Sequence, residues 1–531
     1  MAIDDVAGAG HRGRVVMLVD NGVKGDSRVQ KTARSAAEAG WDVILLGRSS
    51  NASPHTWSLG AAQVRLLPVP RTPNVGARAC RRRLLRSPLA YPPTGIAECR
   101  VRQVGAWKAD ITIRRAVGIA EGTHSGARRA LLGAETRLAR IAGRWVAYRQ
   151  GQLIRAQTRL ADFDTPKGRL YTAFWLRLLG DRAWRMLEPR LWDFELTYGP
   201  VIDKLKPDLI HANDFAMLGV GARAKIRARA KGRSVKLVWD AHEYLAGLLP
   251  RRNDHRWLPA NLSAEREYVP YADATITVST GLAELLQQQY QLPQLPAVVL
   301  NAPAQDHVPP GDHEVPDLRA RCRVGPDTPL LVYSGAAAAQ RGLRVMVEAL
   351  PELDGAHVAF VVSNRTSPFI ATLRQRAGEL GVADRVHVLS YVPHWHVVRL
   401  LSGADVGVIP IHHCANHEIA LITKYFEYSH ARLPIVVSDM RVMAETTRQT
   451  GNGEVFRAED VADFTRAVRA VLADPARYRA AYDRPGLLEN WTWQAQARVL
   501  DEVYERVVPR DATAAPAART GRADAPAQSL A

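Results

Sequence analysis

The chain has 531 residues, 47% apolar and 23% charged, with 38 Gly, 32 Pro and a net charge of +18. That is a folded, multi-domain composition, which excludes collagen, coiled coil and a wholly disordered chain. Four cysteines (Cys80, Cys99, Cys322, Cys414) with no C-x-x-C pair exclude a disulfide framework and a zinc ribbon. The opening MAIDDVAGAGHRG has no apolar core, so no signal peptide is expected. No run of ~18 apolar residues predicts a membrane-spanning helix, so the expected compartment is the cytoplasm.

In chain order, Arg14-Val-Val-Met-Leu-Val19 reads as a buried strand, followed by the loop Asp20–Asp26 with Gly22, Lys24 and Gly25. A helix is predicted from Ser27 to Ala39, stopped by Gly40, and Trp41–Leu46 is the next strand. Strand, glycine loop, helix, glycine, strand is a βαβ unit. Val64–Val69 offers a third strand. Further strands are predicted at Asp208–His211, Lys236–Trp239, Ala274–Val278 and Val298–Leu300. The same grammar restarts at Leu330–Ser334, with Gly335 opening a small-residue loop and a helix from about Arg341. Strands at Val358–Val362, Val386–Leu389, Val406–Ile409 and Pro434–Ser438 follow. The expected fold class is therefore α/β, with two Rossmann-like, doubly wound parallel sheets. The Pro-rich stretch Asn301–Pro316 is the best boundary between them.

The charge is uneven. Residues 71–190 hold 25 Lys/Arg and 8 Asp/Glu, so +17 of the +18 lies there and the remainder balances at +1. The segment is mainly helical by pattern after a Pro- and Arg-rich opening. Leu131, Leu138, Ile141, Trp145 and Tyr148 share one helical face, with Arg137, Arg140 and Arg144 on its flank. Such a face can lie on an anionic membrane surface. The commoner arrangement inside a globular chain packs it on the sheet.

Ligands of open α/β sheets bind outside the carboxyl ends of the strands. That rule selects five places. The Asn21–Asp26 loop could approach an anion through its glycines. Gly335–Gly342 with Arg341 would suit a diphosphate, or is an ordinary first turn. His242, in Trp239-Asp-Ala-His-Glu243, could position or activate an acceptor hydroxyl; His211 and Asp214 lie at the neighbouring strand end. Lys424 and Glu427 are three apart, so one helical face can present both to a ribose and phosphate, or pair them with each other. His413 and His417 have i,i+4 spacing, but no H-E-x-x-H motif accompanies them, so no metal site is expected.

Taken together, the chain resembles the retaining glycosyltransferases of glycosyltransferase family 4, which have the GT-B fold. The resemblance rests on Asp26-Ser-Arg-Val29, Asp208-Leu-Ile-His211, Asp240-Ala-His-Glu243, Ala272-Asp-Ala-Thr-Ile-Thr-Val-Ser279, Asn301, Tyr333-Ser-Gly335 with Arg341-Gly-Leu343, and Lys424–Tyr428 with Leu433-Pro-Ile-Val-Val-Ser-Asp439. It implies an acceptor domain over residues 1–303 carrying the basic insertion 71–190, and a nucleotide-sugar domain over 304–489. A helix over 490–508 would return to the first domain, and 509–531 would be a disordered tail.

The resemblance further implies donor contacts by Gly335, Arg341, Lys424 and Glu427, and a catalytic role for His242. Gly22, Lys24, Gly25 and Arg28 would face the diphosphate and acceptor. Two positions depart from the family pattern. Ala336 stands where a second cation is common, and Ile419 stands where a carboxylate is common, with Glu418 one place off. Glu418 is assigned to the donor through a shifted loop, with Asn416 or His417 as the alternative contacts to the donor sugar. The implied reaction transfers a sugar from a nucleotide sugar to a glycan or lipid-linked acceptor with retention, without metal or other cofactor. A peripheral position on the inner face of a membrane, through 71–190, is preferred to nucleic-acid binding. Two other readings share the architecture: a nucleotide-sugar 2-epimerase, and a non-catalytic nucleotide-sugar or polyanion-binding protein.

Overall fold

A computed structural model describes residues 12–50, 53–69, 88–92, 96–123, 125–161, 164–248, 254–304 and 317–509, with residues 156–161 by backbone only. The predicted Pro- and Arg-rich opening of the insertion, most of the boundary Asn301–Pro316 and almost all of the tail fall outside these residues. The chain forms two compact units. One comprises Met1–Val69, Phe194–Leu248 and Glu265–Ala531; the other comprises Pro70–Asp193 and Leu249–Ala264.

The first unit holds two sheets. The first contains β1 (Arg14–Leu18), β2 (Asp42–Ser49), β3 (His55–Leu59), β4 (Ala62–Pro68), β5 (Leu209–Asn213), β6 (Lys236–Ala241), β7 (Ala274–Thr277) and β8 (Ala297–Val298). Their order is β3-β4-β2-β1-β5-β6-β7-β8, parallel throughout except for the β3–β4 pair. The second sheet is wholly parallel. It contains β9 (Leu330–Ser334), β10 (His357–Val362), β11 (Val386–Ser390), β12 (Val406–Ile409), β13 (Ile435–Ser438) and β14 (Gly453–Phe456), in the order β11-β10-β9-β12-β13-β14. Central strands are covered on both faces, so they read as continuous apolar runs such as Leu331-Val-Tyr333.

The helix Trp493–Val507 belongs to the core of the first sheet. Trp493, Leu500, Val503, Tyr504 and Val507 pack among Val15, Met17, Val43 and Leu45. Burying such side chains contributes ~1.5–3 kcal/mol each. Polar ties fix its register: Trp41 Nε1 donates to Asp501 (2.9 Å), and Trp493 Nε1 donates to Ser35 Oγ (2.9 Å).

The structure departs from the sequence-based elements in three places. β3 was not expected, because His55-Thr-Trp-Ser-Leu59 is an edge strand, exposed along most of its length and without an apolar run. β14 is a half-buried, four-residue edge strand that likewise lacks an apolar run. The helix expected from about Arg341 begins at Arg344. A 3₁₀ turn, Ala339–Arg341, precedes it, and Gly342 at φ 67° intervenes. A Cβ on Gly342 would lie 1.7 Å from the Pro410 carbonyl oxygen, so only glycine fits there.

The second unit is helical: Ile96–Ala120, Gly126–Ala161 and Pro166–Leu179 are its long elements. Its small cores are Tyr91, Ala97, Val146 and Leu153, and Ile111, Leu132 and Ala139. Glu135 ties the first two helices, accepting from Trp107 Nε1 (2.9 Å) and Arg114 (2.6 Å). Here packing on the sheet, the commoner expectation for the apolar stripe, is corrected. Leu131, Leu138, Ile141, Trp145 and Tyr148 are exposed. The buried positions Leu132, Ala139, Val146 and Leu153 form a second heptad-spaced series, one residue along from Leu131, Leu138 and Trp145.

Candidate active site

Both sheets reverse direction beside their first strand. In the first sheet the chain runs from β1 outward to β2 and later returns to the other side at β5. In the second it runs from β9 to β10 and β11, then returns at β12. Crevices form at such switch points, at the carboxyl ends of the strands. The candidate residues lie there.

At the first switch point, Asn21 orders the glycine loop. Its side chain accepts from Val23 N (2.8 Å) and donates to Asp26 (2.7 Å). Asp26 caps the helix Ser27–Glu38 by accepting from Val29 N (3.2 Å). Lys24 Nζ lies over the Trp57 ring, 5.6 Å from its centroid. Gly25, at φ 90°, would have nothing within 4 Å of an added Cβ, so the loop is open at that point.

His242 sits just beyond β6, between two carboxylates. Nδ1 is 3.2 Å from Asp214, and Nε2 is 3.1 Å from Asp240. Burial opposes the cation, but Asp214 and Asp240 outweigh it and raise the imidazole pKa to about 10. At neutral pH His242 is therefore an imidazolium. In that state it can donate to an acceptor oxygen and so position it, but it cannot take the hydroxyl proton.

Asp240 is fully buried, and its carboxyl is held well below the usual range. Burial opposes this; Arg28, His242 and His211 overcome it. Arg28 donates Nε and Nη2 to the two Asp240 oxygens (3.0 and 2.9 Å) and Nη1 to Val299 O (2.6 Å). Arg28 was expected to face the diphosphate or acceptor. The structure corrects this: it is buried, and its guanidinium is turned onto Asp240 and Val299 O, with three of its five N–H donors engaged there. Behind Asp240, His211 Nε2 lies 3.5 Å away, and His211 Nδ1 meets Tyr504 Oη at 2.7 Å. The terminal helix thus reaches the site's buried carboxylate through one histidine.

At the second switch point, Gly335 ends β9 at φ 135°. A Cβ there would lie 2.5 Å from Lys424 Cε and Nζ, so glycine makes room for that cation. Lys424 and Glu427 share the helix Thr423–His430. Lys424 Nζ lies 5.2 Å from the Tyr333 ring centroid. Burial and the neighbouring Arg341 lower its pKa to about 8, while Glu427 opposes them. Burial raises the Glu427 pKa to about 7, against the pull of Lys424 and Lys31.

Among the described residues the Arg341 guanidinium makes no hydrogen bond or close ion pair, and Lys424 packs on the Tyr333 ring; Glu243 and Glu427 act on them only electrostatically. The two cations repel each other and neither is hydrogen-bonded to a carboxylate, so their donors are free to receive an anion. The sites approach each other elsewhere in this unit. Asn416 exchanges two hydrogen bonds with the backbone of Tyr244 (2.8 and 2.9 Å), and Ser279 Oγ donates to Ile419 O (2.6 Å).

Glu418 is engaged away from these cations. One oxygen meets His413 Nδ1 at 2.5 Å and the other accepts from Arg441 N at 2.9 Å. Lys31, Asp214, Asp240 and Tyr504 were not assigned from sequence. Lys31 donates to Asn301 Oδ1 (2.9 Å) and Ala302 O (2.5 Å), lies over the Trp493 ring at 4.7 Å, and has its pKa lowered to about 7 by burial and Arg28. Asp240 carried a signal, since it lies two residues before His242 in the same motif. Asp214 carried one too, at the end of the adjacent strand. Tyr504 carried none, being 293 positions from its partner.

Two doubly wound parallel sheets, with chemistry at both switch points, define a protein of the GT-B fold. Solved structures show the same architecture. Sucrose-phosphate synthase from Thermosynechococcus elongatus matches with a TM-score of 0.57 at 15% identity, over 93% of this chain and 99% of that one. An E. coli trehalose-6-phosphate structure bound with UDP-2-fluoro glucose matches with a TM-score of 0.53 at 11% identity, over 94% and 100%. Residues 161–302 match the family model described as Glycosyltransferase Family 4, and residues 328–474 match that described as Glycosyl transferases group 1. The chain belongs to glycosyltransferase family 4.

Among curated relatives, it is 30% identical over 219 residues to a GDP-mannose-dependent α-(1-6)-phosphatidylinositol monomannoside mannosyltransferase of Mycolicibacterium smegmatis. That stretch covers 38% of this chain and 56% of the relative. The enzyme of the same name from Mycobacterium tuberculosis is 26% identical over 57% of this chain and 79% of its own length. A Mycobacterium tuberculosis glycogen synthase is 26% identical over 56% and 69%.

Proposed function

We propose that the chain transfers a sugar from a nucleotide-sugar donor to a glycan or lipid-linked acceptor, with retention of anomeric configuration. The observation that carries this reading is the pair of neighbouring cations, Arg341 and Lys424, with Lys424 packed against Gly335 and neither hydrogen-bonded to a carboxylate. A nucleoside diphosphate is an anion of complementary charge, and charge-assisted hydrogen bonds to it can engage both groups at once. Glu427, on the same helix as Lys424, would accept from the ribose diol. Family membership supports the assignment. The names of the mycobacterial relatives, which act on a phosphatidylinositol mannoside, support a lipid-linked acceptor.

In this mechanism Arg341 and Lys424 stabilise the charge that develops on the leaving diphosphate. The transition state is oxocarbenium-like: the bond from the anomeric carbon to the diphosphate breaks, and the acceptor hydroxyl attacks from the same face, passing its proton to the departing diphosphate oxygen. His242, held cationic by Asp214 and Asp240, fixes the electrostatics on the first sheet's side of the crevice. Protein cations neutralise the diphosphate, so no metal is required. The peripheral, inner-membrane placement belongs to the same proposal; among the described residues no helix is long and apolar enough to cross a membrane.

The test is an incubation with nucleotide sugars and lipid-extract or glycan acceptors, with and without chelator, reading the product anomer by NMR. A product of retained configuration, formed equally in chelator, is expected. Donor hydrolysis alone, an inverted product or strict metal dependence would overturn the reading.

A further inference from the structure

The helix Gly126–Ala161 packs through Leu132, Ala139, Val146 and Leu153. On its open side it carries a second apolar series. Leu131 is 67% exposed, Ile141 63% and Trp145 50%, with Leu138 and Tyr148 similarly open. At ~100° per residue these five occupy an arc of about 100°, adjacent to the buried face. Trp145 and Tyr148 stack, with ring centroids 5.9 Å apart, so the aromatic part of the stripe is ordered. Next around the helix come Arg137, Arg144 and Arg140, none of which has an acidic partner among the described residues. A second exposed series, Leu170, Phe174 and Leu178, lies on the helix Pro166–Leu179 with Lys167 and Arg177 near it.

We propose that this face of the second unit docks on an anionic lipid bilayer, with the apolar arc in the headgroup–acyl boundary and the arginines on the phosphates. This names the partner for the peripheral placement above and rests on that reading. Charge decides between occupants. A second copy would bring another segment of +17 against this one, which repels, whereas an anionic bilayer attracts it. Nucleic acid would satisfy the arginines but leaves Leu131, Leu138 and Ile141 in water. A bilayer satisfies both halves of the face. Apolar series exposed on two helices of one unit are otherwise unfavourable.

The experiment is co-sedimentation of the full chain with vesicles of phosphatidylcholine containing phosphatidylglycerol, and with pure phosphatidylcholine vesicles. Two variants are compared: Leu138→Gln/Ile141→Gln/Trp145→Gln, and Arg137→Gln/Arg140→Gln/Arg144→Gln. All six positions are on the surface, and circular dichroism checks that the helices are retained. Binding only to anionic vesicles is expected, weakened on the order of 100-fold by the arginine variant and reduced to background by the apolar one.

Wild-type-like binding by the apolar variant overturns the insertion. So does a dimer in sedimentation velocity that the same variant dissociates, or duplex DNA outcompeting the vesicles at equal salt. Nucleoside-diphosphate affinity is measured on the same preparations. Vesicle binding without nucleotide binding refutes the donor reading and leaves this surface standing; the converse refutes the surface alone.

Discussion

Lys424→Met tests the donor cradle through two coupled effects. Methionine keeps the length of the side chain beneath Gly335 and over Tyr333 but removes the charge. The direct effect is loss of a charge-assisted hydrogen bond to the diphosphate, ~1.5–3 kcal/mol, or roughly 10- to 150-fold in affinity. The second effect acts through Glu427. Its pKa is about 7 because burial raises it while Lys424 and then Lys31 pull it down. Without Lys424 it moves higher, and more of it is protonated at neutral pH.

Accepting from a ribose diol requires the carboxylate. Wild-type affinity should therefore rise with pH through about 7. It should fall above about 8, where Lys424 loses its proton. In Lys424→Met the alkaline fall should vanish and the rising limb should move to higher pH. Titration calorimetry with a nucleoside diphosphate from pH 6 to 9 reads both. An affinity within about twofold of wild type, or an unshifted pH profile, would refute the cradle.

Other perturbations follow from the buried network. Arg28→Met leaves Asp240 without its largest compensating charge, so it should cost ~3–5 kcal/mol in urea denaturation; a loss below 1 kcal/mol would contradict the pairing. His242 has its folded pKa raised to about 10. Its stabilisation is thus full below its ordinary pKa near 6.5 and is lost as pH rises through about 10. His242→Gln should be less stable than wild type at pH 7 and should lack that alkaline loss, and it should lower turnover more than donor affinity. Tyr504→Phe removes the hydroxyl that meets His211 and should cost about 1 kcal/mol, with turnover falling while nucleotide affinity stays unchanged.

The strand series was legible because central parallel strands are apolar on both faces, and the switch-point loops followed from strand order. β3 and β14 were not, because edge strands need not be apolar throughout. Arg341, Lys424, Glu427 and His242 were legible as members of motifs. Their states were not: whether His242 is neutral depends on Asp214 and Asp240, which only the fold brings to it. Arg28 shows the converse. Its place in a motif suggested a ligand contact, and the buried Asp240 claims it. The stripe on the helix Gly126–Ala161 had two heptad series one residue apart, and periodicity alone cannot choose which is buried.

The most direct measurement compares nucleoside and nucleoside-diphosphate affinity in wild type and Arg341→Ala. If Arg341 and Lys424 form the diphosphate site, the wild type should bind the diphosphate far more tightly than the nucleoside. In Arg341→Ala that preference should shrink about 10- to 150-fold. Equal affinity for the two ligands in the wild type, or a preference untouched by the substitution, would contradict it.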